Sequence, residues 1–181
     1  DAGEIAQYNG LDPAENLALG SVIIIPGGEI ATPAPSVRPS SGVLREPYLG
    51  GSGSEQLGFY SNPIPGGLIT QGLHGWNGID IGSARGTPIR AAADGTAIVA
   101  RSSGWNGGYG NYIVIVHSNG TQTLYSHLRN LIISPGQFIA SGQIIGYVGS
   151  TGHSTGPHLH FEVRGAANPF RNCFAGTICA P

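Results

Sequence analysis

The sequence has few charged residues and no long apolar run. Asp, Glu, Lys and Arg make up only 10% of its 181 residues, against about 25% in a typical globular domain. The formal charge of -2 gives no electrostatic basis for binding nucleic acid or an anionic membrane. No apolar segment reaches the ~18 residues of a transmembrane helix. We therefore expect no nucleic-acid partner and no membrane insertion, and the low charge favours an extracytoplasmic protein.

Cysteine is almost absent and methionine is entirely absent. The two cysteines, Cys173 and Cys179, lie six positions apart in the C-terminal tail, residues 173–181. We favour a local disulfide, which indicates an oxidising compartment, and two free thiols are the alternative. Zinc binding by this pair is not expected, because no histidine lies nearby. The chain starts at Asp1 without a signal-peptide pattern, so we interpret it as a fragment or a mature form.

The abundant glycine and proline are unevenly distributed and divide the chain into segments. Residues 1–27 are predicted to contain a short helical stretch at residues 4–8, a second helix around residues 13–17 and an apolar strand at residues 21–25. Residues 28–58, rich in Gly, Pro and Ser, are predicted to be a linker. From residue 59 to residue 172, short β-rich runs alternate with turn residues and no helical periodicity is sustained. The sequence therefore predicts an all-β fold of antiparallel sheets, in which short strands and hairpins form a groove-bearing sandwich, with a small helix-strand remnant at the N-terminus.

Two hairpins are predicted in the β-rich domain. The stretch "IRAAADGTAIVARS" contains two short runs around the turn dipeptide Asp94-Gly95. The stretch "NYIVIVHSNGTQTLYSHL" contains two longer runs around residues 118–120, which are Ser, Asn and Gly. Further short strands are predicted in "SPGQFIASGQIIGYVGSTG" and in "HLHFEVR".

The segment "HLHFEVR" places two histidines on one face of a strand. Side chains alternate between faces along a strand, so His158, His160 and Glu162 share one face while Leu159 and its apolar neighbours share the other. The two imidazoles are then about 7 Å apart, which suits one histidine on a metal and one beside the metal's open position. The alternative is a solvated polar strand face.

The other candidate residues complete a possible zinc site. A catalytic zinc site needs three protein ligands and an open position, and His74, Asp80 and one of His158 or His160 form a possible set. Water bound by such a zinc has a pKa of about 7, which makes a nucleophile available at neutral pH. His127 lies near the end of a predicted strand and is a candidate for proton transfer.

Two further histidines are weaker candidates. His117 lies at a predicted turn, where a structural role and a catalytic role are both open. His153 lies in a Gly-rich loop, and we expect no functional role for it.

Three segments in order along the chain resemble a known enzyme family. The segments "NGIDIGSARGTPIRAAADGTAI", "GGYGNYIVIVHSNGTQTLYSHL" and "PGQFIASGQIIGYVGSTGHSTGPHLHFEVR" are similar to the lysostaphin-type zinc metallopeptidase domain, whose members cut peptide cross-links in bacterial peptidoglycan. The resemblance covers residues 59–170. It implies that His160, the second histidine of the family's HLH motif, binds Zn²⁺, and that His158 and His127 are catalytic. His117 matches a recurrent family position with no firm role.

The chain departs from the family pattern before Asp80. The family has a histidine four residues before this aspartate, but here that position is Trp76, whose indole N–H is only a donor and cannot bind zinc. The nearest histidine is His74, six residues before Asp80. Two more residues would add about 6–7 Å to an extended segment. We therefore predict that Gly75 and Asn77 loop out the extra length, with Trp76 at the loop tip, and that His74 is the metal ligand.

The N-terminal segment carries a second resemblance. Within residues 1–27, "IAQYNGLDPAENLALGSVIIIPG" resembles the C-terminal half of a lysin-motif module, the small unit that binds N-acetylglucosamine polymers. The resemblance implies contact with the glycan part of peptidoglycan, whereas an unrelated helix-strand remnant is the alternative.

Three functional hypotheses remain at this point. The first is an active zinc endopeptidase acting on peptidoglycan, either at glycine bridges or at D-amino-acid cross-links. The second is a catalytically degenerate cell-wall module that recruits or activates another hydrolase. The third adds autoinhibition, in which the linker before Phe59 covers the metal site.

Overall fold

The computed structural model describes residues 5–6, 8–10 and 53–179. The chain divides into two compact units, Asp1–Tyr48 and Leu49–Pro181. In the first unit the described residues are mainly helical, and the backbone N–H of Asn9 donates to the carbonyl of Ile5 over 3.1 Å. The predicted helix around residues 13–17, the predicted strand at 21–25 and most of the predicted linker lie outside the described residues.

Within residues 53–179 the chain forms ten β-strands and one short 3₁₀ helix, Asn106–Gly108. The strands are β1 (Leu68–His74), β2 (Gly78–Gly82), β3 (Pro88–Arg90), β4 (Gly95–Arg101), β5 (Tyr112–His117), β6 (Gln122–Ser126), β7 (Leu128–Leu131), β8 (Phe138–Ile139), β9 (Ile144–Val148) and β10 (His158–Arg164). Within the described ranges, no helix has the length and apolar character needed to span a bilayer.

The strands form two antiparallel sheets. A seven-stranded sheet has the order β1-β2-β10-β6-β5-β4-β8, and a three-stranded sheet has the order β3-β9-β7. One apolar cluster contains side chains from both sheets, including Ile89 and Val148 of the smaller sheet and Ile115 and Phe161 of the larger one. The predicted all-β antiparallel fold is confirmed.

The alternation of β10 has the predicted consequence for packing. Leu159, Phe161 and Val163 are fully buried in the apolar cluster. Burying a large side chain of this kind stabilises the fold by roughly 1.5–3 kcal/mol. The opposite face of β10 is therefore held at a fixed position by the core, and it carries His158 and His160.

One predicted hairpin is present and the other is wrong. β5 and β6 pair around a turn in which Gly120 has a φ of 79°. β3 and β4, however, do not pair around Asp94-Gly95, because β3 pairs with β9 in the smaller sheet and β4 pairs with β5 and β8. Gly95 instead allows β4 to lie close to β5, since a Cβ at this position would lie 2.3 Å from the carbonyl oxygen of Val116.

The connection between β3 and β4 explains this error. Residues 91–93 are three alanines, all buried, and they carry the chain from one sheet to the other. The N–H of Ala91 donates to the carbonyl of Gln143, and the N–H of Ala92 donates to the hydroxyl of Tyr125. The backbone groups that a hairpin would pair are therefore bonded to other parts of the domain.

The ends of the described segment are attached to the β-domain. The N–H of Ala167 donates to the carbonyl of Ser54 over 3.3 Å, although the composition groups Ser54 with the linker. At the other end, a disulfide joins Cys173 and Cys179, and Ile178 bridges to Leu68 at the edge strand β1. The exact boundaries of the predicted segments stay predictions.

Candidate metal centre

Three neighbouring strands bring the predicted ligands together. β2 lies between β1 and β10 in the larger sheet. Asp80 of β2 pairs with His160 of β10 on one side, and His74 is the last residue of β1 on the other. The aspartate is therefore placed between the two histidines by the strand order.

The turn between β1 and β2 closes the long spacing between His74 and Asp80. β1 and β2 form a hairpin in which His74 pairs with Gly78. Gly75 and Asn77 have φ values of 52° and 61°, a region that glycine and asparagine tolerate better than other residues. The ligands therefore lie on two paired strands, and the extra length is contained in the turn.

The turn is anchored on β10 and exposes its tryptophan. The amide of Asn77 donates to the carbonyls of Val163 and Ala166. Trp76, the residue at the family's histidine position, lies in this turn with 38% of its surface exposed. It is thus located at the loop tip, as expected, two residues after His74.

The ligand atoms of His74, Asp80 and His160 lie within 4.8 Å of one another. Asp80 Oδ1 lies 3.4 Å from His74 Nε2 and 2.9 Å from His160 Nδ1. Atoms bound at about 2.0–2.2 Å to one tetrahedral zinc are separated by about 3.4 Å. The spacing of the set therefore fits a single small cation.

Hydrogen bonds fix which nitrogen of each histidine could bind a cation. His74 Nδ1 lies 2.8 Å from the carbonyl oxygen of Gly72, and His160 Nε2 lies 3.0 Å from Glu162 Oε1. Both partners only accept hydrogen bonds, so the proton is placed on those nitrogens. His74 Nε2 and His160 Nδ1 face the carboxylate of Asp80, and these are the nitrogens that a cation could bind in place of the protons they share with it.

The carboxylate of Asp80 and the two histidines strongly shift one another's pKa values. Burial would raise the pKa of Asp80, but hydrogen bonds from His160 and His74 hold that pKa well below its usual range. Burial would lower the pKa of His160, but hydrogen bonds with Asp80 and Glu162 raise it to about 9. The hydrogen bond with Asp80 likewise raises the pKa of His74. Asp80 is therefore ionised and ready to bind a divalent metal such as zinc, which would displace the protons held by the two histidines.

His127 and His158 lie beside this set. Their ring centroids are 4.7 Å apart, and His158 Nε2 lies 3.7 Å from Asp80 Oδ2. His127 Nδ1 donates to the carbonyl of Thr151 and His158 Nδ1 donates to that of Gly156. Each imidazole is therefore oriented through its Nδ1, which leaves Nε2 to accept a proton.

His127 also has an unusual backbone and a perturbed pKa. Its φ is 62°, a left-handed conformation that is uncommon for residues other than glycine. Burial lowers the pKa of His127 to about 4, although its hydrogen bond to Thr151 opposes this. The ring is consequently neutral at neutral pH, which a proton acceptor requires. Strained backbone of this kind clusters at functional sites.

The other two histidines lie outside the ligand set. His117 is buried, where Nδ1 donates to the carbonyl of Asp94 and Nε2 bonds to the hydroxyl of Thr123. The ring of His153 lies near that of Trp105, with 6.1 Å between centroids. An open cavity of about 550 Å³ is lined by Gly86, Arg129, Asn130 and Tyr147, with no residue of the histidine cluster among them.

Sequence reasoning missed two residues that support the site. Tyr109 and Arg164 both hydrogen-bond the carboxylate of Glu162, which in turn contacts His160. Burial would raise the pKa of Glu162, but Arg164 and His160 lower it to about 2. Arg164 lies on the same strand face as His160 because side chains alternate along β10, so the sequence pattern could have predicted its position. Tyr109 comes from a Gly-rich loop without periodicity, so no pattern could have identified it.

In an antiparallel β-domain, two histidines and one aspartate around a common point form a candidate metal site. The chain belongs to peptidase family M23, whose family model matches residues 74–172. The family suggested by the sequence segments is therefore confirmed for this part of the chain. The match begins at His74, the last residue of β1.

Relatives with known names cover the same part of the chain. It is 48% identical over 111 residues to the DD-carboxypeptidase/endopeptidase Mpg of Neisseria meningitidis serogroup B, covering 61% of this chain and 24% of that protein. It is 40% identical over 95 residues to the peptidoglycan DD-endopeptidase ShyA of Vibrio cholerae, covering 52% of this chain and 21% of that protein. The chain thus spans about a quarter of the length of the curated relatives it matches.

Solved structures agree with this assignment. The structure of the antimicrobial peptidase lysostaphin from Staphylococcus simulans superposes with a TM-score of 0.53 at 29% identity, covering 66% of this chain and 50% of that one.

Proposed function

We propose that this chain is a zinc-dependent endopeptidase that hydrolyses peptide cross-links of bacterial peptidoglycan. The observation that carries the proposal is the convergence of His74, Asp80 and His160 beside the pair His127 and His158. Both of the named relatives are DD-peptidases, and one is named for peptidoglycan. Cross-links that contain D-amino acids are therefore the first substrate to test, and glycine bridges are the second.

The proposed roles follow from the atoms that each residue presents. His74 Nε2, Asp80 Oδ1 and His160 Nδ1 would hold Zn²⁺. Zinc in such a site polarises a peptide carbonyl and lowers the pKa of bound water to about 7. This chemistry is the contribution that the metal makes when it is bound.

The two catalytic histidines would handle the proton and the developing charge. His127 and His158 each have Nδ1 on a backbone carbonyl and Nε2 free. Nε2 of one imidazole accepts the proton of the attacking water and delivers it to the leaving amine. The other imidazole would stabilise the oxyanion through Nε2 in its protonated form, in which both nitrogens donate. Their rings are close enough to contact the same scissile peptide group.

Two further proposals concern the rest of the chain. We propose that residues 1–27 are a partial lysin-motif module that contacts the glycan of peptidoglycan, as their sequence resemblance implies. We also propose an extracytoplasmic location, supported by the disulfide between Cys173 and Cys179. Comparing cosedimentation of the chain with insoluble peptidoglycan before and after deletion of residues 1–27 tests the first of these.

The main test is digestion of purified peptidoglycan followed by mass analysis of the released fragments. We expect new amino termini at the cross-links, loss of the activity on treatment with a chelator, and its return with added zinc. Asp80→Ala should abolish both zinc binding and turnover, while His153→Ala, which removes an exposed imidazole outside the ligand set, should retain both. A protein that cannot be loaded with zinc and releases no fragments would instead be a degenerate binding module.

A further inference from the structure

A fully buried carboxylate contacts the metal-binding histidine from behind. Glu162 has no solvent-exposed surface, and its Oε1 lies 3.0 Å from His160 Nε2. The same oxygen accepts a hydrogen bond of 2.7 Å from the hydroxyl of Tyr109, and Oε2 accepts one of 2.8 Å from Nε of Arg164. In each of these three contacts the carboxylate of Glu162 accepts a hydrogen bond.

The contact determines which nitrogen of His160 is available to a metal. Imidazole has two ring nitrogens, and in the neutral ring only one carries a proton. An ionised carboxylate can only accept, so Glu162 keeps a proton on Nε2. Nδ1 is then the nitrogen that can exchange its proton for a metal ion. That nitrogen lies 2.9 Å from Asp80 Oδ1, on the ligand side of the ring.

Net stability is a weak reason for a buried ion pair such as Glu162 and Arg164. Removing two charges from water costs several kcal/mol per ion, and an apolar pair of similar volume is often as stable. Glu162 and Arg164 nevertheless lie in the C-terminal half of β10, where both side chains are buried and Arg164 is only 1% exposed. Tyr109 adds a neutral donor from a separate loop, and its hydroxyl lies 3.4 Å from Nη2 of Arg164.

We propose that Glu162 is a positioning residue for the metal centre, which holds His160 with its lone pair directed at the metal, and that Tyr109 and Arg164 keep Glu162 in place. The inference rests on the zinc site of the proposed function. Outer partners of metal-binding histidines typically contribute about 10- to 100-fold to metal affinity.

The test compares zinc affinity across three variants of the full 181-residue chain. Glu162→Gln removes the charge at nearly constant volume. Tyr109→Phe removes only one hydroxyl. Thr123→Val is the matched control, because Thr123 is also fully buried and hydrogen-bonded on a neighbouring strand but bonds to His117 and Tyr125. Zinc dissociation constants are measured by competition with a coloured chelator, and the visible spectrum of the cobalt-substituted protein reports the ligand geometry.

The proposal predicts a graded loss. Glu162→Gln should weaken zinc binding by about 10- to 100-fold and change the cobalt spectrum. Tyr109→Phe should have a smaller effect in the same direction, and Thr123→Val should lower the melting temperature without changing either readout. If Glu162→Gln does not fold, Tyr109→Phe decides the question.

The opposite results separate this inference from the proposed function. A folded Glu162→Gln protein with the zinc affinity and cobalt spectrum of the parent overturns the proposal, as does an unchanged affinity in Tyr109→Phe when the first variant does not fold. An equal loss of affinity in Thr123→Val would also overturn it, because general destabilisation would then explain the effect. If the parent chain itself binds no zinc, the proposed function fails.

Discussion

Gly78 is the residue whose replacement tests the position of His160 most sensitively. A Cβ at residue 78 would lie 2.5 Å from Cε1 and 2.8 Å from Nε2 of His160, and 3.3 Å from Cγ of Glu162. The ring cannot rotate away freely, because Asp80 and Glu162 hold its two nitrogens. Relief to an ordinary contact needs a shift of about 0.9 Å, whereas metal–ligand distances tolerate about 0.2 Å.

We therefore expect Gly78→Ala to weaken zinc binding by about 100-fold or more, which is about 2.7 kcal/mol. Gly120→Ala is the control, because Gly120 has a φ of 79° and no atom within 4 Å of the added Cβ. It should cost about 1–2 kcal/mol of stability through backbone strain and leave zinc binding unchanged. Zinc content after dialysis and chelator competition provide the measurements. A folded Gly78→Ala protein with the parent's zinc affinity would refute the reasoning.

Two further predictions concern histidines that do not bind the metal. His127→Ala should reduce turnover by about 100- to 10,000-fold while zinc stays bound, and a parallel loss of zinc would contradict the assignment. His117 has a lowered pKa caused by burial, against the opposing hydrogen bond to Asp94, so its neutral form stabilises the fold. That contribution is present above the ordinary value of about 6.5 and is lost as pH falls toward the lower folded value. In urea unfolding of the metal-free proteins, His117→Asn should therefore be less stable than the parent at pH 7.5. This difference in the free energy of unfolding should shrink by up to about 1.4 kcal/mol per pH unit below pH 6.5. A difference that does not change with pH would show that the pKa of His117 is the same in the folded and unfolded states.

Local alternation predicted the part of the site that lies on β10. The period of two placed His158, His160 and Glu162 on one face and predicted the apolar face that the core buries. Turn chemistry at residues 118–120 likewise predicted the β5–β6 hairpin. These features depend on neighbouring residues along the chain, so the sequence pattern contains them.

Features that depend on distant partners could not be predicted in the same way. The Asp94-Gly95 dipeptide is typical of a turn, but the buried alanines before it bond to Tyr125 and Gln143 and direct β3 into the other sheet. Tyr109 reaches Glu162 from a loop 53 residues away. Tertiary contacts of this kind leave no periodic signal in the sequence.

The spacing between His74 and Asp80 has one feature that the sequence predicted and one that it did not. The residues at positive φ, Gly75 and Asn77, were expected to absorb the extra length. The pairing of two separate strands that brings His74 opposite Gly78 was not. The sequence thus indicated that the turn could form, and only the structure defined its position.

The most direct test of the account is the location of the metal relative to His74. A crystal structure of the zinc-loaded chain should show the ion within about 2.0–2.2 Å of His74 Nε2, Asp80 Oδ1 and His160 Nδ1. An ion bound by Asp80 and His160 with His74 outside bonding distance would contradict it, since the lengthened hairpin would then not supply the third ligand.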